Sequence, residues 1–216
     1  MLYLSDMTLR ALLVHPFHGD LRPGQTHRLP AVEVTLLFAD VAESTELTSR
    51  LGDRGAYSLI RRFCNVVREA ILETGGEALE LRGDGALLAF TSPRAAVACA
   101  LQIQRACAET GPLAVRMGLH TGHALRLERG YFGQALILAA RVADHARPGE
   151  ILVSSQLRAR LGALDSLRVG SQRAIAIKGF PEPLDTFSIE WREDESRTPL
   201  RAAYAPVAGP HAVSAL

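Results

Sequence analysis

Nine consecutive residues, Val32-Glu33-Val34-Thr35-Leu36-Leu37-Phe38-Ala39-Asp40, constrain the fold more than any other stretch of this chain. The run is apolar and β-branched over most of its length, which is the signature of a buried strand. It ends on a carboxylate. A buried strand needs neighbours on both sides and cover on its faces, so the chain is committed to a layered sheet with Asp40 at one end.

Residues 42–190 supply that sheet and its cover. Ala42-Glu43-Ser44-Thr45 is a polar start to a short helix reaching about residue 50, and Gly52 breaks it. A second helix is expected over about 54–73, where Ile60, Phe63, Val67, Ala70 and Ile71 recur at three- and four-residue steps and form one buried stripe. Gly75-Gly76 ends it. Residues 78–82 and 86–90 flank Gly83-Asp84-Gly85, the pattern of a tight β-hairpin. Ser92-Pro93 places an N-cap before a proline at the first helical position and opens a helix to about 109. Residues 113–120 read as a strand, 133–145 as a helix stopped by Pro148-Gly149, 150–153 as a strand and 154–161 as a short helix. Residues 167–177 and 186–190 complete the strands. The order β-α-α-β-β-α-β-α-β is an α/β (α+β) fold, a ferredoxin-like βαββαβ core with additional strands and helices. Residues 1–30, strand-like at 7–14 and then rich in Pro, Gly and His, read as an extension and linker. The domain occupies 31–192, and residues 193–216 read as a disordered tail.

Composition narrows the function classes. Hydrophobic residues make up 48% and charged residues 22%, an ordinary globular balance. With 24 basic against 23 acidic residues the net charge is +1, which gives no general reason to expect a nucleic acid or membrane surface as partner. No uncharged run approaches the ~18 residues of a membrane helix. Asp6, Arg10 and His15 interrupt the apolar N-terminal stretch, against a signal peptide. Cys64, Cys99 and Cys107 lack CxxC spacing and lie in apolar helical stretches, as small core thiols in a reducing compartment do. The expectation is a soluble cytoplasmic protein.

Asp40 ends the first strand, and Asp84 sits in a hairpin tip 44 residues later. If neighbouring strands bring them together they repel unless a cation sits between them. Hard divalent cations, held by one or two carboxylates plus substrate phosphates, are the usual solution. On these residues alone an alternative stays open, in which Asp40 caps the following helix and Asp84 merely suits a Gly-Asp-Gly turn.

The surrounding segments form a larger pattern. Phe38-Ala39-Asp40-Val41 followed by Ser44-Thr45, and Arg82-Gly83-Asp84-Gly85, resemble the two metal motifs of class III adenylate/guanylate cyclases, and their separation fits that family. Val115-Arg116-Met117-Gly118-Leu119-His120-Thr121-Gly122 resembles its central strand motif. Tyr131-Phe132-Gly133 through Ala139-Ala140-Arg141 resembles its dimer-interface helix. Pro148-Gly149-Glu150-Ile151-Leu152-Val153-Ser154 and Ile177-Lys178-Gly179-Phe180-Pro181-Glu182-Pro183 resemble its later segments. The likeness runs in order from Val32 to Ile189. Gly75-Gly76-Glu77 is only superficially similar to the start of a diguanylate cyclase signature; a glycine helix stop accounts for it.

The resemblance implies conversion of a nucleoside triphosphate to a 3′,5′-cyclic nucleotide and pyrophosphate, with two Mg or Mn ions per site. It implies that Asp40 and Asp84 hold those ions and that backbone N–H groups of Ala42, Glu43, Ser44 and Thr45 cradle phosphate oxygens. Arg141 would stabilise charge on the α-phosphate and Lys178 would grip the terminal phosphates. A homodimer is implied, because the aspartates of one chain face the arginine, lysine and base-reading residues of the other. No nucleic acid or membrane partner is implied.

Three positions depart from the family pattern. Where the family has a ribose-orienting asparagine this chain has Ile137, which can neither donate nor accept a hydrogen bond; Gln134 is at best a partial substitute. The base-reading positions are Glu80 and Gly130. A carboxylate accepts from N–H groups, which guanine presents at N1 and N2, so Glu80 argues against ATP. Gly130 adds no support for GTP, and pyrimidine triphosphates stay open. The leading expectation is a slow cyclase poorly suited to ATP. The alternatives are a degenerate cyclase-like domain that binds nucleotide or a partner as a regulatory module, and pairing with a different cyclase-like chain that supplies the missing residues.

Overall fold

The structure is a computed structural model that describes residues 29–109, 113–162 and 167–192. The expectations for a strand at 7–14, for a linker before residue 29 and for a tail from 193 lie outside the described residues. Eight strands and four helices succeed one another in the order β1 (Ala31–Val41), α1 (Ser44–Thr74), β2 (Glu77–Arg82), β3 (Gly85–Phe90), α2 (Pro93–Glu109), β4 (Val115–Arg126), β5 (Tyr131–Phe132), α3 (Gln134–Asp144), β6 (Ile151–Ser154), α4 (Ser155–Leu161), β7 (Val169–Ile175) and β8 (Leu184–Ile189). The strands make one sheet in the order β2-β3-β1-β4-β6-β8-β7, with β5 paired to β4. This is the expected mixed α/β architecture.

β1 is central because both of its edges are used. It runs antiparallel to β3 and to β4, and its side chains alternate between two cores. Leu37, Ala39 and Val41 face the core built with Phe63, Val67 and Ala70 of α1 and Val97, Ala100 and Ile103 of α2. Val34, Leu36 and Phe38 face the opposite core, built with Ala135, Leu136, Ala139, Ala140 and Ala143 of α3. The break expected at Gly52 is present inside α1, where its φ of 68° and ψ of 169° leave the helical region. Gly75 closes α1 in the left-handed region at φ 74°, donating its N–H to the Ile71 carbonyl. Ser92 caps α2 through Ala95 N–H at 3.3 Å.

α3 rests on the bare backbone of β4. A Cβ on Gly118 would collide with the backbone of Ala143, and one on Gly122 would stand 3.2 Å from the Ala135 Cβ and 2.9 Å from His120 Nε2. Glycines on the strand and alanines on the helix are therefore one packing solution.

β4 extends past the strand expected over 113–120, because β1 pairs with it along its whole length, from Val41↔Val115 to Ala31↔Leu125. Buried Thr121 does not interrupt the ladder, since its Oγ1 shares a 2.8 Å hydrogen bond with Thr35 Oγ1. Tyr131-Phe132 return along Leu125 and Arg126 as β5, and α3 comes next with Gly133 and His145 at its caps. Cys99 and Cys107 are buried, and burial pushes both thiols up to about 11, which suits inert core residues. Among the described residues no helix is long and apolar enough to cross a membrane.

Candidate metal and nucleotide site

The sheet register brings two acids together. Asp40 lies opposite Gly85 in the β1–β3 ladder, and Val41 N–H donates to the Asp84 carbonyl at 2.8 Å. The β2–β3 turn therefore presents Asp84 beside the last residues of β1. Gly83 takes φ 61° in that turn. Ser44, the first residue of α1, donates its hydroxyl to Asp84 Oδ2 at 2.6 Å. From the other side, Arg116 stands opposite Asp40 in the β1–β4 ladder and donates Nε and Nη2 to Asp40 Oδ2 at 3.0 and 2.8 Å. Asp40 is only 8% exposed, so this counter-charge matters more than it would on an open surface.

These residues fit a divalent ion in their donor chemistry. Two aspartates at one end of the sheet offer hard oxygens, and a cation arriving there would compete with Arg116 for Asp40 Oδ2. Among the described residues no cluster of three or more His, Cys, Asp or Glu side chains is arranged to hold a metal by itself.

The segment joining β1 to α1 is pinned tightly. Ala42 N–H donates to the Ala114 carbonyl at 2.8 Å, so it is committed to the fold; the cradle of N–H groups expected over Ala42, Glu43, Ser44 and Thr45 loses its first member. Glu43 adopts φ 56°, ψ 36° at the N-cap with no side-chain capping bond, and its carbonyl accepts from Leu47 N–H at 2.8 Å. The first N–H groups of an α-helix have no intrahelical acceptor, and in α1 these are the N–H groups of Ser44, Thr45 and Glu46.

Glu80 lies on β2 beside a register irregularity and lines a small pocket with Phe38, Ala39, Asp40, Gly85, Ala86 and Leu87. It thus adjoins Asp40 of its own chain, whereas the resemblance implies that the base-reading positions face the aspartates of the other chain. A second group forms around α3. Ile137 and Arg141 share its half-buried outer face one turn apart, and Arg141 pairs with Asp144 at 3.3 Å. Leu138 and Val142 pack with Ile177 and Phe180, which docks the β7–β8 connection, with exposed Lys178, against this helix. Gln134 is exposed at the start of α3.

Gly130 sits in the β4–β5 turn at φ 86°, its carbonyl accepting from Leu127 N–H at 3.0 Å. β4 is 12 residues long and Arg116 lies at its opposite end, so Gly130 is roughly 35 Å from the Asp40 end of the same strand. A single chain does not bring Gly130 beside its own aspartates.

Two residues are legible in sequence only as parts of a strand. Arg116 is the partner of Asp40, and its signal is an arginine beside the first residue of a strand whose first half is otherwise mostly apolar. His120 is buried and its Nδ1 shares a 2.9 Å hydrogen bond with Ser154 Oγ, which also caps α4 by accepting from Leu157 N–H at 3.3 Å. Burial lowers the His120 imidazole to about 4, so it is a neutral tie between β4 and β6.

Comparison with known proteins gives a consistent result. The family described as the adenylate and guanylate cyclase catalytic domain matches residues 28–191. The "Uncharacterized protein Rv2212" of Mycobacterium tuberculosis is 32% identical over 169 residues, which are 77% of this chain and 44% of that protein. The "Adenylate cyclase" of Glutamicibacter nicotianae is 27% identical over 144 residues, 66% of this chain and 36% of that protein. The chain thus spans less than half the length of either relative. Among solved structures, the guanylyl cyclase Cya2 superposes with a TM-score of 0.67 at 22% identity, covering 74% of this chain and 93% of that one. At that identity the likeness concerns the fold.

Proposed function

Since this chain belongs to the adenylate and guanylate cyclase catalytic domain family, we propose that it is a nucleotidyl cyclase. It would convert a nucleoside triphosphate to a 3′,5′-cyclic nucleotide and pyrophosphate. The observation that carries this reading is the meeting of Asp40 and Asp84 at one end of the sheet, with Ser44 orienting the second and Arg116 holding the first.

Asp40 and Asp84 would hold two Mg or Mn ions, whose chemistry is to acidify the ribose 3′-hydroxyl and neutralise the triphosphate. The chain's own groups do the rest. Ser44 fixes the direction of one Asp84 oxygen. N–H groups at the start of α1 orient phosphate oxygens. Arg116 puts a guanidinium beside Asp40, within the reach of an arriving polyphosphate. The partner's copies of Arg141 and Lys178 would stabilise charge on the α-phosphate and grip the leaving pyrophosphate. A homodimer is part of the proposal, because Asp40 pairs with the start of β4, Gly130 follows its far end, and a composite site needs a second copy. The catalytic unit would be residues 31–192, acting in the cytoplasm without nucleic acid or membrane partner.

Ile137 supports slow turnover, since it presents hydrocarbon where a ribose needs a hydrogen bond. Glu80 supports poor use of ATP. Ile137 also favours a second reading, a degenerate cyclase-like domain that binds nucleotide and acts as a regulatory module. One experiment separates the two: incubate the purified protein with each of the four ribonucleoside triphosphates and Mn, and analyse products by mass spectrometry. A cyclic product lost in Asp40→Ala supports the enzyme. Binding without any cyclic product supports the module.

A further inference from the structure

Glu43 is the one non-glycine residue with positive φ among the described residues, at φ 56° and ψ 36°. An L-residue carrying a long side chain adopts this region at a cost that glycine escapes. Such strain persists only where the surroundings impose it, and here they do. Val41 N–H is fixed to the Asp84 carbonyl at 2.8 Å and Ala42 N–H to the Ala114 carbonyl at 2.8 Å, so the chain enters in a set direction. Leu47 N–H returns to the Glu43 carbonyl at 2.8 Å, and the Ser44 hydroxyl is fixed to Asp84 Oδ2 at 2.6 Å, so it also leaves in a set direction. Glu43 makes the whole turn between them.

Backbone demands therefore call for glycine at this position, whereas the sequence supplies a carboxylate. The side chain makes no capping bond, so its only service to the helix is the screened attraction of a carboxylate to the N-terminal dipole. It is exposed, and it adds negative charge to the entrance of a site that already holds Asp40 and Asp84. Asp40 has Arg116 as counter-ion and Asp84 has a hydroxyl donor. Glu43 precedes Ser44, whose hydroxyl touches Asp84, so its charge lies within a Debye length of the two aspartates.

We propose that Glu43 is a selectivity residue that repels bare polyphosphate and admits a nucleoside triphosphate only together with its divalent cations. The proposal rests on the reading of this site as a metal–triphosphate site and deepens it. A like charge at the mouth acts over a Debye length, so its effect is largest where cations and salt are scarce.

The test is calorimetric binding of non-reacting α,β-methylene ATP and GTP to the full chain, with Mn varied from scarce to saturating. Glu43→Gln keeps the shape and the strained backbone but removes the charge; Glu43→Gly removes both. Both variants should bind the triphosphate analogue roughly three- to ten-fold tighter than wild type at scarce Mn. That gain should shrink towards none at saturating Mn or high salt, and should be smaller for the diphosphate. Equal affinity of wild type and Glu43→Gln at scarce Mn, with triphosphate still bound, overturns the selectivity role and leaves the proposed function standing. Weaker binding by Glu43→Gln likewise overturns it, because the carboxylate would then be assisting cation capture. Absence of Mn-dependent binding in every variant, wild type included, overturns the site reading and this proposal together.

Discussion

Arg116 and Asp40 stand opposite each other across the β1–β4 ladder, joined by two N–H donations of 3.0 and 2.8 Å to one carboxylate oxygen. The pair sits at the end of the sheet where Asp84 also arrives, so the same guanidinium stabilises the fold and borders the site. Replacing Arg116 by Ala removes both bonds from a carboxylate that is nearly buried. The cost should be about 1–2 kcal/mol, because Arg116 itself is a third exposed and partly screened. Thermal melts in EDTA should show a lower Tm for Arg116→Ala, with Mn narrowing the gap to wild type. Melts that coincide with and without Mn would show that the pair carries no stability.

Asp40→Ala and Asp84→Ala should each abolish Mn-dependent triphosphate binding. Ser44→Ala should weaken it by less, since it loses one hydrogen bond that orients Asp84 Oδ2 and leaves both carboxylates in place. Calorimetry with a non-reacting analogue ranks the three. If both aspartate variants bind like wild type, the metal-site assignment is wrong.

A composite site predicts complementation. Asp40→Ala and Arg141→Ala should each be inactive alone, and their mixture should recover part of the wild-type rate, because one of the two sites in a mixed dimer keeps both residues. Mixed dimers demonstrated by mass spectrometry that stay inactive would count against shared sites.

Ile137 and Glu80 make opposite kinds of prediction. A misplaced ribose hydroxyl loses ~100-fold in rate, so Ile137→Asn should turn over faster than wild type if the chain is otherwise intact. Glu80 sets acceptor against acceptor at adenine N1, so ATP should be the poorer purine substrate. Initial rates with all four triphosphates decide both. Efficient ATP cyclisation by the unmodified protein would sink the base-reading argument.

His120 sets a pH dependence of stability that has nothing to do with turnover. Burial holds its folded-state pKa near 4, below the usual 6.5, so the unfolded chain binds the extra proton between those values. Its contribution is therefore fully present above about pH 6.5 and is lost as pH falls towards 4, up to about 3 kcal/mol in all. Urea unfolding at several pH values should show this slope in wild type and a shallower one in His120→Gln.

Whether a residue's role is legible in the sequence depends on what kind of contact it makes. The positions of Asp40 and Asp84 are legible because strand ends and hairpin tips have local signatures, whereas the β1–β3 ladder that brings them together spans α1 and β2 and is not local. The Gly52 break, the Gly75 stop and the Ser92 cap are legible for the same reason. The grip of Arg116 on Asp40 is not, because it depends on the register of two strands more than seventy residues apart in the chain. The extension of β4 to Arg126 is hidden too, since it is imposed by pairing with β1 and not by its own alternation. By sequence alone the Ala42 N–H is open to phosphate, and only the path of Ala114 shows that it is already committed. The strain at Glu43 cannot be read at all, because nothing in the letter E announces a left-handed backbone.

The contact of Gly118 with Ala143 has a mechanical consequence. Helix and strand touch backbone to backbone there, with no side chain between them to act as a cushion or a hinge. α3 therefore cannot slide or tilt on the sheet without opening a void, and Arg141 travels as one rigid piece with the strand that carries Arg116. For the dimer proposed above, this makes the angle between two whole copies, and not a movement of α3 within one copy, the coordinate to adjust.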